Sequence, residues 1–133
     1  MRFLGKFLIA ASVLLSPLAA PVSAQDAMPW LSSLKLGMWE IRDRANGEKV
    51  DRVCVRDRKQ LLQLRHRGPL CKREVLREKG DEGYIYYQCG NKGHGYTSLK
   101  MENSGLAQIN SQGLFNNAPF QFSVEARHVG SCR

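Results

Sequence analysis

The sequence lacks several motifs by which enzymes are recognised. It contains no Gly-x-Ser-x-Gly elbow, no Gly-x-x-x-x-Gly-Lys-Ser/Thr loop and no Cys-x-x-Cys pair. The usual grounds for predicting a serine hydrolase, a P-loop nucleotide-binding protein or a dithiol oxidoreductase are therefore absent. The glycine-rich stretch at 90–95 opens no evident helix and is interpreted as a flexible strand connection. No catalytic residues are predicted.

Long apolar runs and an excess of acidic charge are missing too. The chain has 133 residues, enough for one domain, and its 20 Lys+Arg against 12 Asp+Glu give a net charge of +8. Its longest apolar stretch, near the N-terminus, is shorter than the roughly 18 residues that a membrane-spanning helix needs. These properties exclude an integral membrane protein, a disordered tail and a large multi-domain enzyme.

Residues 1–24 follow the three-part pattern of a cleaved secretory signal. A basic start precedes an apolar run at 7–15, and Val22-Ser23-Ala24 supplies the small residues of a cleavage site. The mature chain is expected to begin at Gln25, with an N-terminal extension at 25–34 and a single domain at 35–133. The protein is therefore expected to be periplasmic or secreted, with no transmembrane segment after cleavage.

The four cysteines, Cys54, Cys71, Cys89 and Cys132, all lie in the part expected to be exported. An even number in a small exported domain predicts two disulfides. The histidine and cysteine spacings fit no zinc template, so neither a metal site nor a cofactor is predicted. Of the three possible pairings we favour Cys54–Cys71 with Cys89–Cys132, because the first would close the intervening segment into a compact loop.

One short helix is predicted between Cys54 and Cys71. Asp57 and Gln60 have the spacing of a capping box, the segment that follows carries three leucines, and Gly68-Pro69 provides a stop. The rest of the domain reads as strands separated by turns.

Alternation of apolar and polar residues predicts the strands and their phase. Trp39 and Ile41 share one face of the first strand, and Phe120, Phe122, Val124 and Ala126 share one face of the last. Hairpin spacing predicts a mainly β fold, an antiparallel meander forming a curved sheet or a partly closed barrel. Strands are expected near 37–42, 50–56, 71–78, 84–89, 96–101, 106–110 and 120–127.

Two terminal motifs resemble a known family. Leu36-Gly37-Met38-Trp39-Glu40 is similar to its Gly-x-Trp-Glu opening, and Arg127-His128-Val129-Gly130-Ser131-Cys132 to its Arg-x-apolar-Gly-x-Cys ending. Between them lie the Cys54-Val55 step and two further cysteines, Cys71 and Cys89. This arrangement over residues 35–133 resembles the domain of unknown function 3617 family of small exported bacterial proteins. The resemblance implies an exported, β-rich, disulfide-containing domain and carries no established activity.

Basic charge is segregated along the chain. Residues 42–79 hold 13 basic and six acidic side chains, whereas residues 80–133 hold four of each. Such a segment predicts a face that meets an anion, although a basic surface also serves solubility alone. The candidate anion-binding residues are Arg42, Arg44, Arg52, Arg56, Arg58, Lys59, Arg65 and Arg67.

Three classes of function fit these observations. The favoured one is a non-enzymatic envelope module that binds lipid phosphate, lipopolysaccharide or an acidic protein; nucleic acid is not expected in that compartment. The second is a carrier whose sheet curls around a small apolar ligand. The third is a small enzyme without a recognisable motif. The aromatic residues that would line the carrier's cavity are Trp39, Tyr84, Tyr86, Phe120 and Phe122.

Overall fold

The computed structural model describes residues 28–133, and the predicted signal sequence and mature N-terminus lie outside them. Seven antiparallel strands form one curved, unclosed sheet. Within residues 28–133, three short 3-10 helices cover Pro29–Ser33, Arg58–Gln63 and Gly90–Lys92. The strands are β1 (Gly37–Asp43), β2 (Lys49–Val55), β3 (Lys72–Lys79), β4 (Glu82–Gln88), β5 (Gly93–Asn103), β6 (Leu106–Phe115) and β7 (Ala118–Gly130).

The strand order in the sheet is β2-β1-β7-β6-β5-β4-β3. Strands β3 to β7 form the predicted meander, while β1 pairs antiparallel with β7 and carries β2 on its other side. Consecutive strands β2 and β3 therefore lie at opposite edges of the sheet. The segment at 56–71 connects these edges, and Leu61 and Leu62 are buried in the core. We refer to residues 56–71 as the crossing segment.

The core lies between one face of the sheet and the crossing segment, and the predicted strand phase is confirmed. Trp39 and Ile41 are buried, as are Phe120, Val124 and Ala126 on β7, and Phe122 is half-buried against the same core. The opposite side of the sheet carries the intervening, mostly polar residues and is called the outer face below.

The predicted helix forms, as a single 3-10 stretch. The Asp57 carboxylate accepts a hydrogen bond from the backbone N–H of Lys59 (2.9 Å), and Gln60 Oε1 accepts one from the backbone N–H of Asp57 (3.0 Å). This reciprocal arrangement is the predicted capping box.

The favoured disulfide pairing is wrong. The bonds are Cys54–Cys132, with Cα atoms 5.4 Å apart, and Cys71–Cys89, with Cα atoms 4.9 Å apart. Cys54 alternates with buried valines on β2, so its side chain points to the outer face and away from the crossing segment. The pairing of β1 with β7 brings Cys132 to it instead. Cys71 and Cys89 flank the β3–β4 hairpin directly.

Candidate functional site

Two predicted arginines, Arg42 and Arg44, lie in an acidic neighbourhood. The Arg42 guanidinium pairs with Glu40 at 2.5 Å, and Arg44 donates to Asn110 Oδ1 at 3.0 Å. Both line a depression of about 410 Å³ that also carries three carboxylates. Acids outnumber bases there, so this depression does not favour an anion. The three carboxylates are those of Asp43, Glu102 and Glu125.

Arg65 and Arg67, on the crossing segment, are also engaged within the protein. The Arg65 guanidinium lies over the Phe120 ring, 5.6 Å from its centroid. Arg67 forms an ion pair with Asp51. These two arginines share a depression of about 280 Å³ with Asp43 and Asp51, so its charges balance.

The other four predicted residues lie near β2 and the start of the crossing segment. Arg52 faces Glu40 across the β1–β2 pair. Arg58 Nε donates to the carbonyl of Leu34 at 2.5 Å. Arg56 is exposed and Lys59 is half-buried. The eight candidates are thus divided between the outer face and the crossing segment instead of forming a single basic face.

A different basic cleft opens beside the Cys71–Cys89 disulfide. It has a volume of about 410 Å³. One wall is residues 66–72, from the end of the crossing segment to the start of β3, and the other is residues 88–92, from the end of β4 through the next 3-10 helix. Its charged lining consists of Arg67, Lys72 and Lys92, and no carboxylate lines it. Within residues 28–133 neither lysine has an ion-pair partner. We call this feature the disulfide cleft.

The crossing-segment wall of the disulfide cleft is fixed by Gln63, which is 5% exposed. Its Nε2 donates to the carbonyl oxygens of His66 (2.7 Å) and Pro69 (3.1 Å), and its Oε1 accepts from the backbone N–H of Cys71 (2.9 Å). One buried amide therefore satisfies three backbone groups of the same loop. A fully satisfied buried network of this kind rigidifies the loop that contains it.

His66 joins the two walls. Its Nε2 lies 3.1 Å from the carbonyl oxygen of Lys92, and its Nδ1 lies 2.9 Å from the Tyr87 hydroxyl. A carbonyl can only accept, so Nε2 carries the proton and Nδ1 accepts from the hydroxyl. Together with the disulfide, this side chain links the two walls of the cleft.

Two glycines of the glycine-rich stretch make this packing possible. A Cβ on Gly95 would lie 2.5 Å from the Tyr87 ring, and one on Gly93 would lie 2.0 Å from the carbonyl oxygen of Leu114. Both residues belong to β5. The interpretation of this stretch as a flexible connection is therefore wrong for its second half, where glycine is needed for close approach.

The Tyr87 hydroxyl should lose its proton at an unusually high pH. Burial raises its pKa from 10.0 to about 12. The unfolded chain ionises first, so the neutral phenol stabilises the fold fully below about pH 10, and this contribution is lost as the pH rises to about 12. Subtracting the phenolate absorbance titration of Tyr87→Phe from that of the wild type should leave one step near pH 12. A step near pH 10 would contradict the burial of this hydroxyl.

The five aromatic residues of the carrier hypothesis do not all line one cavity. Trp39 is fully buried in the core, and Phe120 stacks on Phe122 on the same side of the sheet. Tyr84 and Tyr86 alternate with buried residues of β4 and therefore lie on the outer face.

The part of the chain that the structure describes has neither a cluster of metal-ligating side chains nor a free thiol. Residues 28–133 contain no group of three or more His, Cys, Asp or Glu side chains that could hold a metal ion. All four cysteines are in disulfides. Among these residues no helix is both long enough and apolar enough to cross a bilayer.

Comparisons with protein-family models, curated proteins and solved structures found no match to this chain. Function is therefore inferred from the geometry and charge of the chain itself.

Proposed function

We propose that the protein is an exported, non-enzymatic module that binds an anionic component of the cell envelope at the disulfide cleft. The observation that carries this proposal is the cleft's lining, which has three cationic side chains and no carboxylate. In the depressions at Arg42 and Arg65, acidic neighbours offset the arginines. A smaller depression of about 180 Å³ has two cationic side chains and no carboxylate in its lining. Among these depressions, the disulfide cleft has the largest excess of cationic over acidic side chains.

The ligand group we expect is a phosphate, as carried by envelope lipids or lipopolysaccharide. Lysine ammonium groups act as point charges that bind phosphate oxygens without a fixed geometry. Arg67 contributes less, because it already pairs with Asp51. An acidic protein is the alternative anion, and its carboxylates would meet the same two lysines.

Two features support the proposed export. The N-terminal sequence has the pattern of a cleaved signal. Both disulfides fit an oxidising compartment such as the periplasm or the extracellular space.

We also propose membership of the domain of unknown function 3617 family. Support comes from the proximity of its two terminal motifs. Met38 pairs with Gly130 and Trp39 with His128 across β1 and β7, so the opening and closing motifs are neighbours in the sheet. A Cβ on Gly37 would lie 2.3 Å from the carbonyl oxygen of Gly130. The close approach of the two motifs therefore requires glycine at the opening position.

Binding to vesicles tests the anion site. The mature protein should be retained on phosphatidylglycerol vesicles but not on phosphatidylcholine vesicles, and retention should weaken once added salt shortens the screening length below about 10 Å. The double variant Lys72→Gln/Lys92→Gln should bind at least tenfold more weakly at low salt, because it removes both unpaired cations of the cleft.

The matched control is Lys35→Gln/Lys100→Gln, which removes the same charge from two exposed positions outside the cleft. It should bind nearly as well as the wild type. Equal losses in the two double variants would mean that net charge alone attracts the protein, and the cleft would then not be a binding site.

A further inference from the structure

The outer face carries an aromatic and amide surface that the anion proposal does not use. Strand registers align two parallel rows of side chains across β4, β5, β6 and β7. We call the two rows together the outer-face platform. The first row is Tyr84, Ser98, Asn110 and Ser123. The second is Tyr86, Tyr96, Gln112 and Gln121.

Three tyrosines form one end of this platform. Tyr96, 37% exposed, lies at their centre. Its ring centroid is 4.9 Å from that of Tyr86 and 6.2 Å from that of Tyr84, which stacks on it with an interplanar angle of 22°. Packed rings of this kind lose little conformational freedom when a ligand covers them.

Amides and hydroxyls form the other end. Arg44 donates to Asn110 Oδ1 at 3.0 Å, and Asn110 Nδ2 donates to Ser98 Oγ at 3.3 Å, so the middle of the first row is oriented. In residues 28–133 the side-chain amides of Gln112 and Gln121 make no hydrogen bond within the protein. Each can therefore offer both a donor and an acceptor to a ligand.

The depression between the two rows has a volume of about 240 Å³, and every residue that lines it is uncharged. The two cations beside it are already engaged, Arg44 with Asn110 and Arg77 over the Tyr84 ring at 5.9 Å from its centroid. The lining itself therefore offers a polyanion no cation. A purely apolar ligand would cover the amides and hydroxyls without hydrogen-bonding them, which costs free energy for each group. The lining is complementary to an uncharged ligand that has both apolar faces and many hydroxyl groups.

We propose that the outer-face platform binds a neutral carbohydrate chain, independently of the disulfide cleft. The C–H face of a sugar ring covers Tyr96 and its neighbours, because a tyrosine combines an apolar ring with a polar tip. Sugar hydroxyls hydrogen-bond to the amides of Gln112 and Gln121. Adjacent strands are about 4.8 Å apart, so a chain that runs perpendicular to them meets a new pair of side chains at each strand.

The test is calorimetric titration of the mature protein with unsubstituted hexamers of β-linked glucose and of N-acetylglucosamine. At least one hexamer should bind at millimolar or lower concentration. Tyr96→Ala should weaken that binding at least tenfold, and Gln112→Ala/Gln121→Ala should do the same. The control Val129→Ala removes an exposed apolar side chain outside both rows and should leave binding unchanged.

Two outcomes would overturn the proposal. One is that neither hexamer binds at millimolar concentration. The other is that the platform variants bind as tightly as Val129→Ala while all of them remain folded by circular dichroism. Binding of the hexamer should also persist at high salt and in Lys72→Gln/Lys92→Gln. The carbohydrate proposal and the anion proposal can therefore be contradicted independently of each other.

Discussion

Replacing Trp39 by alanine should lower the free energy of unfolding by about 3–5 kcal/mol. The Trp39 side chain is completely buried, and its Nε1 donates to the carbonyl of Lys35 at 3.0 Å. Its ring also packs edge-on against His128 at a centroid distance of 5.7 Å, across the β1–β7 pair. The substitution therefore removes apolar burial, leaves a cavity and deprives a backbone carbonyl of its donor.

Urea unfolding measures this loss. The control is Leu36→Ala, three residues earlier, where the side chain is 46% exposed and little change is expected. A midpoint for Trp39→Ala that matches the midpoint of Leu36→Ala would show that the phase of β1 is wrong.

Removing the Cys54–Cys132 disulfide should have a similarly large effect. In the chain-entropy account, a bond between residues 78 apart in sequence contributes about 4.5 kcal/mol. The Cys71–Cys89 bond, 18 residues apart, contributes about 3 kcal/mol. Because small domains are stable by roughly 5–15 kcal/mol in total, Cys54→Ala/Cys132→Ala should be close to unfolding at physiological temperature. In thermal unfolding, Cys54→Ala/Cys132→Ala should have a lower midpoint than Cys71→Ala/Cys89→Ala.

A single variant is enough to determine which cysteines are paired. Unreduced wild-type protein should not react with a thiol-alkylating reagent, whereas Cys54→Ala should be alkylated once, at Cys132. Peptide mapping that finds the label on Cys71 instead would contradict the topology, because it would require Cys54 to point towards the crossing segment.

Local features of the fold could be predicted from the sequence. Alternation in β1 and β7 gave the correct buried faces because each strand has one side against the core. The capping box at Asp57 and Gln60 was also predictable, since both of its hydrogen bonds lie within four residues of chain.

Non-local features could not be predicted. The disulfide pairing assumed that the segment between Cys54 and Cys71 returns to its starting point, whereas it connects opposite edges of the sheet. That crossing follows from the pairing of β1 with β7, which brings together residues about ninety positions apart. No local pattern encodes such a contact.

The fold does not bring the predicted anion-binding residues together, for a related reason. Counting charges along the chain grouped arginines that the fold divides between two sides, and it ignored the carboxylates beside them. Lys72 and Lys92, which line the proposed cleft, were not among the predicted residues, and Lys92 lies in the stretch with balanced charge. The Cys71–Cys89 bond is the signal that could have found them, because this bond brings Lys72 and Lys92 to one cleft.

Residue-resolved NMR tests the anion site most directly. Inorganic phosphate titrated into ¹⁵N-labelled mature protein should shift the backbone amides of residues 66–72 and 88–92 along a saturable curve, and these shifts should disappear in Lys72→Gln/Lys92→Gln. Shifts that instead centre on Arg42, Arg44 and Arg52, or that rise linearly over the whole surface, would contradict binding at the disulfide cleft.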